Sequence, residues 1–379
     1  MGRKNALCPK LKVDNWELKK VDEFQTGIGN LEDTLVDEHT LEKVGTEKYL
    51  GDIISVDGRN SKNIAARKAK AIGIVNGIMS ILQDVCFGPF HFEVAIMLRD
   101  SLFINSVLVN SEAWYGLTEN EVIELEKEDE QLLRKVLEAP SKTPKCMLYL
   151  ETGCKPLRFI IMKRQMMFFH YILKENKNSL IRRFFDAQLG NPGKNDWVLT
   201  IDKNLEELEI VLDLDQIEMT TVNQFKTMVE KAIDEKCLAY LVKEKNKKQK
   251  VKHIQFEKLE TQKYLLPAKI SIHQAKQVFL LRCRMLETKD NYTNKFSDDW
   301  CPLCDNGVTK DSQEHLASCP SISSQQMVKT NLKYEDLFST DVQKQLEVST
   351  IIFENFKRRK EIIKSRKSTD LLPSGLSEP

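Results

Sequence analysis

Apolar and polar residues alternate in short runs over residues 1–57 and recur at helical spacing after them. Leu11, Val13, Trp16 and Leu18 alternate with polar neighbours about Asp14 and Asn15, a pattern that predicts a hairpin. Lys48 to Ser55 reads as a second β-like run, closed by the Asp57-Gly58 turn. Strands this few need helices to cover them. Ile64, Ala71, Val75, Ile78 and Leu82 then share one helical face. Phe92 to Val109 is mostly apolar and predicts a buried helix. Thr118 and Glu121 have the spacing of a capping box, followed by the stripe Val122, Leu125, Leu132, Leu133 and Val136, with Ala139-Pro140 as the stop. Pro156 suits the first turn of a helix running to about Leu173.

Gly190 to Gly193 is the strongest break in the middle of the chain, and a domain boundary is expected there. Helix returns from about Thr220 to Glu244. Ser271 and Gln274 cap another, with Ile272, Ala275, Phe279 and Leu286 on one face and Lys276, Arg282 and Arg284 also on it. A charged helix is expected from about Thr340 to Ser365, then a tail with Pro and Ser that is expected to be disordered. The expected class is mainly α, with short N-terminal β-hairpin elements. Its expected regions are β elements over 1–57, helical domains over 58–190 and 191–295, a metal-binding segment over 296–322, and a charged helix with tail over 323–379.

The metal-binding segment is the sharpest motif. Cys301, Cys304, His315 and Cys319 are spaced C-x2-C-x10-H-x3-C. Two cysteines three positions apart can point both sulfurs at one ion from a tight turn. His315 and Cys319, four apart, share one helical face. Four ligands complete a tetrahedral shell, so a single structural Zn2+ with no open position is expected. Three of the nine cysteines fall within these 19 residues beside one of only six histidines, which disfavours a chance grouping of buried thiols. The segment has little apolar material of its own, so metal is expected to fold it.

Composition narrows the remaining classes. Of 379 residues, 41% are hydrophobic and 30% charged, enough apolar material for packed cores. The net charge is +1, so any nucleic-acid surface must be local. Cys8, Cys86, Cys146, Cys154, Cys237 and Cys283 complete an odd cysteine count. The chain opens without a signal-peptide apolar region, carries Ala6 where myristoylation favours Ser or Thr, and has no apolar run of about 18 residues. A reducing intracellular compartment, nuclear or cytoplasmic, is expected rather than a membrane or the secretory route. Nucleophile-elbow, Walker and dinucleotide fingerprints are absent from the sequence. Met162, Met166, Met167, Phe168, Phe169 and Tyr171 read as core, and the histidines outside the motif as ordinary.

Three segments carry a family resemblance. Tyr49-Leu50-Gly51-Asp52-Ile53-Ile54-Ser55 precedes Asp57-Gly58 and a basic amphipathic helix. Ser111 to Thr118 includes Trp114, Tyr115 and Gly116. Leu133 to Leu137 is followed by Thr143-Pro144 and by Tyr149 to Gly153. With the Cys-Cys-His-Cys spacing further on, this order resembles the region downstream of the catalytic core in reverse transcriptases of non-LTR retrotransposons. It covers about residue 5 to residue 320. The resemblance implies a primer-grip-like strand at Tyr49, Leu50 and Gly51, a thumb-like helical domain, a helical linker and a zinc knuckle. It also implies RNA or DNA, in the form of a template–primer duplex, as partner. A protein partner for the same helices and knuckle is the alternative.

Candidate phosphate contacts are Lys62, Arg67, Lys68 and Lys70 on the basic helix. Lys247, Lys248 and Lys250 belong to a stretch with six lysines between Lys243 and Lys252. Lys357 to Lys360, with Lys364, Arg366 and Lys367, form a third basic run. A solvated helix face is the competing explanation for each. The family's polymerase chemistry needs paired aspartates holding two metal ions. The only adjacent pair, Asp298-Asp299, follows no apolar strand, so no catalytic residue is assigned. The 60 residues after Cys319 lack the pattern of a restriction-like endonuclease. A truncated element, or a reading frame begun at an internal methionine, is therefore expected. Reading the DNA upstream of Met1 in frame tests this expectation. Codons for an Asp-Asp hairpin should be found there, and a sequence without them would count against it.

Overall fold

The computed structural model describes residues 35–36, 39–40, 44–49, 51–85, 91–193, 196–266, 271–304, 307–321 and 332–369. The hairpin expected around Asp14-Asn15, Leu50, Cys8, Cys86 and the last ten residues lie outside these. The fold is mainly helical, with short antiparallel strand pairs towards the N-terminus, and it divides into two compact units, Met1–Ala66 and Arg67–Pro379.

In the first unit, β1 (Leu35–Val36) pairs with β2 (His39–Thr40), and β3 (Thr46–Tyr49) with β4 (Asp52–Ser55), both antiparallel. The single β-like run expected over Lys48 to Ser55 is thus a tight hairpin. Tyr49 lies opposite Asp52, and Gly51 takes φ 92°, a left-handed turn conformation that costs a side-chain-bearing residue steric strain. Asn63 pins this hairpin: its amide donates to Asp52 (2.9 Å) and its oxygen accepts from the Ile53 N–H (3.2 Å). Asn63 belongs to α1 (Ser61–Val85).

The helical face anticipated for α1 is the buried one: Ala71, Val75, Ile78 and Leu82 are 1–2% exposed. The apolar stretch after it forms α2 (His91–Leu98), one turn of π-helix (Arg99–Ile104) and α3 (Asn105–Val107). The wider turn sits where Arg99 enters the core. Its guanidinium donates twice to Asp129 (2.6 and 2.7 Å) and once to the Lys155 carbonyl (2.9 Å). Asp129 lies on α4 (Glu119–Leu137), whose capping box at Thr118 and Glu121 forms as its sequence dictates. Glu138, in left-handed conformation, ends α4 before the proline is reached.

α5 (Lys145–Thr152) and α6 (Leu157–Lys174) follow, then α7 (Leu180–Gly190), α8 (Trp197–Glu207), α9 (Leu214–Met219) and α10 (Val222–Asn246). The boundary expected near Gly190 does not separate two bodies. Beyond it, the Trp197 indole donates to the Glu112 carbonyl (2.9 Å), Asn204 donates to Gln165 (2.8 Å), and Gln165 donates to the Trp114 carbonyl (2.8 Å). α10 buries Phe225, Val229, Ile233 and Cys237 and packs on both α5 and α6. A glycine-rich break ends a helix, but long-range pairing decides whether a domain ends with it.

α5 is also the anchor for the C-terminal part. Glu151, fully buried, accepts from Arg282 (3.0 Å) and from the Tyr264 hydroxyl (2.8 Å). Arg282 closes α11 (Ile272–Arg282) and also donates to the Leu337 carbonyl (3.1 Å). Because α11 stops there and Arg284 turns left-handed, Leu286 and Arg284 do not continue its face as expected, although Leu286 is buried. Gly153 (φ 71°) caps α5 where residues 260–261 cross. A Cβ on it would come within 2.4 Å of the Thr261 nitrogen. Then come α12 (Gln313–Ser318) and α13 (Val342–Thr369), whose face Val348, Ile351, Ile352 and Phe356 packs on α11 and α12.

Removing one partner of a buried, hydrogen-bonded ion pair strands the other charge, at a cost of about 3–5 kcal/mol. Glu151→Ala is expected to lose about that much in urea denaturation. Glu124→Ala, at an exposed pair with Lys68 and Lys127, should leave the midpoint nearly unchanged.

Candidate metal centre

The four motif residues reach one point from three local structures. Cys301 and Cys304 flank a tight turn. The strand-like approach to it is fixed by an antiparallel bridge between Trp300 and Lys310, by the Cys301 N–H donating to the Thr309 carbonyl (2.7 Å) and by the Asp311 N–H donating to the Asp299 carbonyl (2.8 Å). Ser312 caps α12 by accepting from the His315 N–H (3.1 Å), which sets His315 in the first turn and leaves Cys319 at the helix end. The helical turn anticipated from the four-residue spacing is therefore present.

The ligand atoms of Cys301, Cys304, His315 and Cys319 all lie within 4.8 Å of one another. The Cys304 Sγ is 3.3 Å from His315 Nε2 and 3.5 Å from Cys319 Sγ. A tetrahedral ion with metal–sulfur bonds near 2.3 Å and metal–nitrogen bonds near 2.0 Å has ligand–ligand edges of about 3.6–3.8 Å, so these donors need only small shifts to enclose one. Cys301 is 4% and Cys319 0% exposed, while Cys304 and His315 are half-buried. Burial pushes the Cys319 thiol up to about 12 and raises that of Cys301. It lowers His315, against the opposing pull of Asp311. An entering ion must displace the thiol protons to form the thiolates that bind it. The arrangement can hold one metal ion in a closed shell of three sulfurs and one nitrogen.

The segment is also held by residues of the neighbouring helices and loops. Asp311 accepts from the Lys289 N–H (2.9 Å) and pairs with Arg359 of α13. Gln313, fully buried, donates to the Leu281 carbonyl (3.0 Å) and the Tyr334 hydroxyl (2.9 Å) and accepts from Asn291 (3.0 Å). Asn355 donates to the Leu316 carbonyl (2.7 Å). The loop and α12 are thus stitched into α11 and α13. Single polar residues such as Asp311, Gln313, Asn355 and Arg359 carry no sequence signature of this role.

The basic residues predicted to meet phosphate are placed very differently from one another. Tyr49 is 62% exposed at the hairpin turn with Gly51, and Leu50 lies outside the described residues. Lys62 is exposed. Arg67 departs from the expected surface cation: it is 3% exposed, donates to the Ser106 and Val109 carbonyls (3.3 Å each) and lies over the Trp114 ring. Lys68 pairs with Glu124, and Lys70 donates to the Ser106 carbonyl (3.3 Å) while remaining exposed. In the lysine run, Lys245 turns inward and donates to the carbonyls of Val251, Lys252 and Ile254 (3.4, 2.8 and 2.5 Å). Lys247 pairs with Glu244 (2.5 Å), Lys248 is exposed, and Lys250 reaches the Asn291 carbonyl and the Tyr292 ring. Arg359 of the third run is likewise buried, in the pair with Asp311.

Asp298 and Asp299 do not converge on a shared site: each is paired with a lysine, Lys289 (2.6 Å) and Lys310 (3.0 Å) respectively. No described helix is long and apolar enough to cross a membrane. Comparison with protein-family models, curated proteins and solved structures gives no match to the chain.

Cys304→Ser is expected to abolish stoichiometric metal, read by elemental analysis of the purified protein. Chelation should speed amide exchange in α12 and the adjoining face of α13 while α6 stays protected. Unchanged metal content in the variant would remove the site from consideration.

Proposed function

We propose that this chain binds nucleic acid and is organised around one structural zinc ion held by Cys301, Cys304, His315 and Cys319. Three soft thiolates and one imidazole in a closed four-coordinate shell suit zinc better than the hard cations, which take oxygen ligands. The observation that carries the reading is the convergence of those four donors within 4.8 Å. Its setting supports the nucleic-acid part. A Tyr49–Gly51 hairpin, a helix bearing Lys62, Lys68 and Lys70, a helical region and then a Cys-Cys-His-Cys centre follow one another in the order that resembles the thumb, linker and knuckle of non-LTR retrotransposon reverse transcriptases.

On this reading the zinc ion is architectural. It fixes the Cys301–Cys304 turn against α12, which lets a short loop keep one shape beside exposed cations. The chain's own part is electrostatic: lysines neutralise phosphates and release condensed counterions, without reading base sequence. Arg67 does not belong to that surface, since its guanidinium is spent on internal carbonyls. No nucleotide addition is assigned to the described residues, because Asp298 and Asp299 are each neutralised by a lysine.

One observation favours a second reading, a protein-docking module. α6 and α7 leave Tyr171, Leu180 and Phe184 between 52% and 67% exposed, apolar area of the kind that partners cover. Titration of a labelled primer–template duplex at two salt concentrations separates the two. Nucleic-acid binding predicts affinity that falls steeply with salt, by about 0.9 log units per log unit of salt for each duplex phosphate neutralised. Binding that is absent at low salt, or indifferent to salt, would favour the docking module.

A further inference from the structure

Three lysines distant in sequence gather around one aromatic ring. Lys142, from the loop between α4 and α5, lies 5.5 Å from the centroid of Tyr292. Lys250, just beyond α10, lies at 5.8 Å, and Lys295, from a 3-10 turn (Thr293–Lys295), at 5.2 Å. All three residues are exposed and the ring is half-buried, and the Lys250 ammonium also donates to the Asn291 carbonyl. The ring itself is held: the Tyr292 hydroxyl donates to the Met285 carbonyl (3.2 Å), and its N–H donates to the Thr288 carbonyl (3.1 Å).

A tyrosine ring attracts an ammonium group over its face. Collecting three around one ring sets up mutual repulsion that a nearby anion relieves. The protein supplies little of that relief. Lys295 pairs with Glu287 (2.8 Å), but among the described residues no ion pair joins Lys142 or Lys250 to a carboxylate. Asp290, the nearest acidic influence on Lys250, is itself paired with Arg284 (3.3 Å). Burial holds the Lys250 pKa below its ordinary value; Asp290 opposes this, and the positive charges of Arg284 and Lys142 add to it.

We propose that Lys142, Lys250 and Lys295, set around Tyr292, form a binding site for the phosphate backbone of a nucleic-acid strand. The proposal rests on the nucleic-acid reading above and gives it a location. Three donors on three separate segments converge on a fixed ring at an exposed surface, where a polyanionic strand can reach them.

The test uses the full chain loaded with zinc and a labelled DNA duplex, at about 50 and 200 mM salt, the range over which such contacts lose most of their affinity. The triple variant Lys142→Gln, Lys250→Gln, Lys295→Gln should bind at least about tenfold more weakly at the lower salt, and its salt slope should fall by about two to three, near 0.9 per lost phosphate contact. The corresponding triple Lys→Arg variant keeps the charges and should retain binding, with metal content and circular dichroism unchanged in both. A charge-matched control, Lys177→Gln, Lys226→Gln, Lys231→Gln, should keep the wild-type slope. Wild-type affinity in the Gln variant, or an equal loss in the control, would overturn the site while leaving nucleic-acid binding intact. A wild-type protein that binds no duplex would overturn both.

Discussion

A guanidinium buried in a protein needs its charge and its N–H groups satisfied, and three arginines of this chain meet that need with buried carboxylates. Arg99 finds Asp129, Arg282 finds Glu151, and Arg359 finds Asp311, each carboxylate fully buried. The partners stand 30, 131 and 48 residues apart. None of these pairs is local, so each fixes the position of one segment on another. Arg99 joins the π turn to α4 and, through Lys155, to the start of α6. Arg282 joins α11 to α5 and to the carbonyl of Leu337. Arg359 joins α13 to the loop that leads into the metal ligands.

That last connection explains how a metal centre of four side chains sits at the end of a large helical unit. The ligands by themselves define only a turn and one short helix. Asp311 and Gln313, placed just before His315, carry the remaining load: one accepts from Lys289 and Arg359, the other bonds to Leu281, Asn291 and Tyr334. A metal ion bound there would stiffen a junction on which α11 and α13 both depend. The lysines around Tyr292 lie on the same junction, since Asn291 and Lys295 belong to the loop between α11 and the first cysteine.

Charge runs prove poor guides to surfaces, for a geometric reason. Between Lys243 and Lys252, neighbouring lysines point in unrelated directions: Lys245 caps three carbonyls inside, Lys247 meets a glutamate one turn away, and Lys250 crosses to Tyr292. Arg67 and Lys68 diverge in the same way, one buried on carbonyls and one paired with Glu124. A helix rotates successive side chains by about 100°, so composition along a segment does not specify which members share a face with solvent.

Local order was written in the chain itself. The capping boxes at Thr118 and Ser271 formed because side chain and backbone there lie within three residues of each other. The α1 face from Ala71 to Leu82 followed from its spacing, and the four metal ligands from theirs. Only the tertiary structure decided what depends on distant partners. It kept the break at Gly190 inside one unit, sent Arg67 inward, tied the metal loop to α13, and brought Lys142, Lys250 and Lys295 to a single ring. Sequence spacing encodes geometry over one or two turns of backbone. Pairings across 30 to 150 residues are chosen by the packing of whole helices, and no local pattern records them.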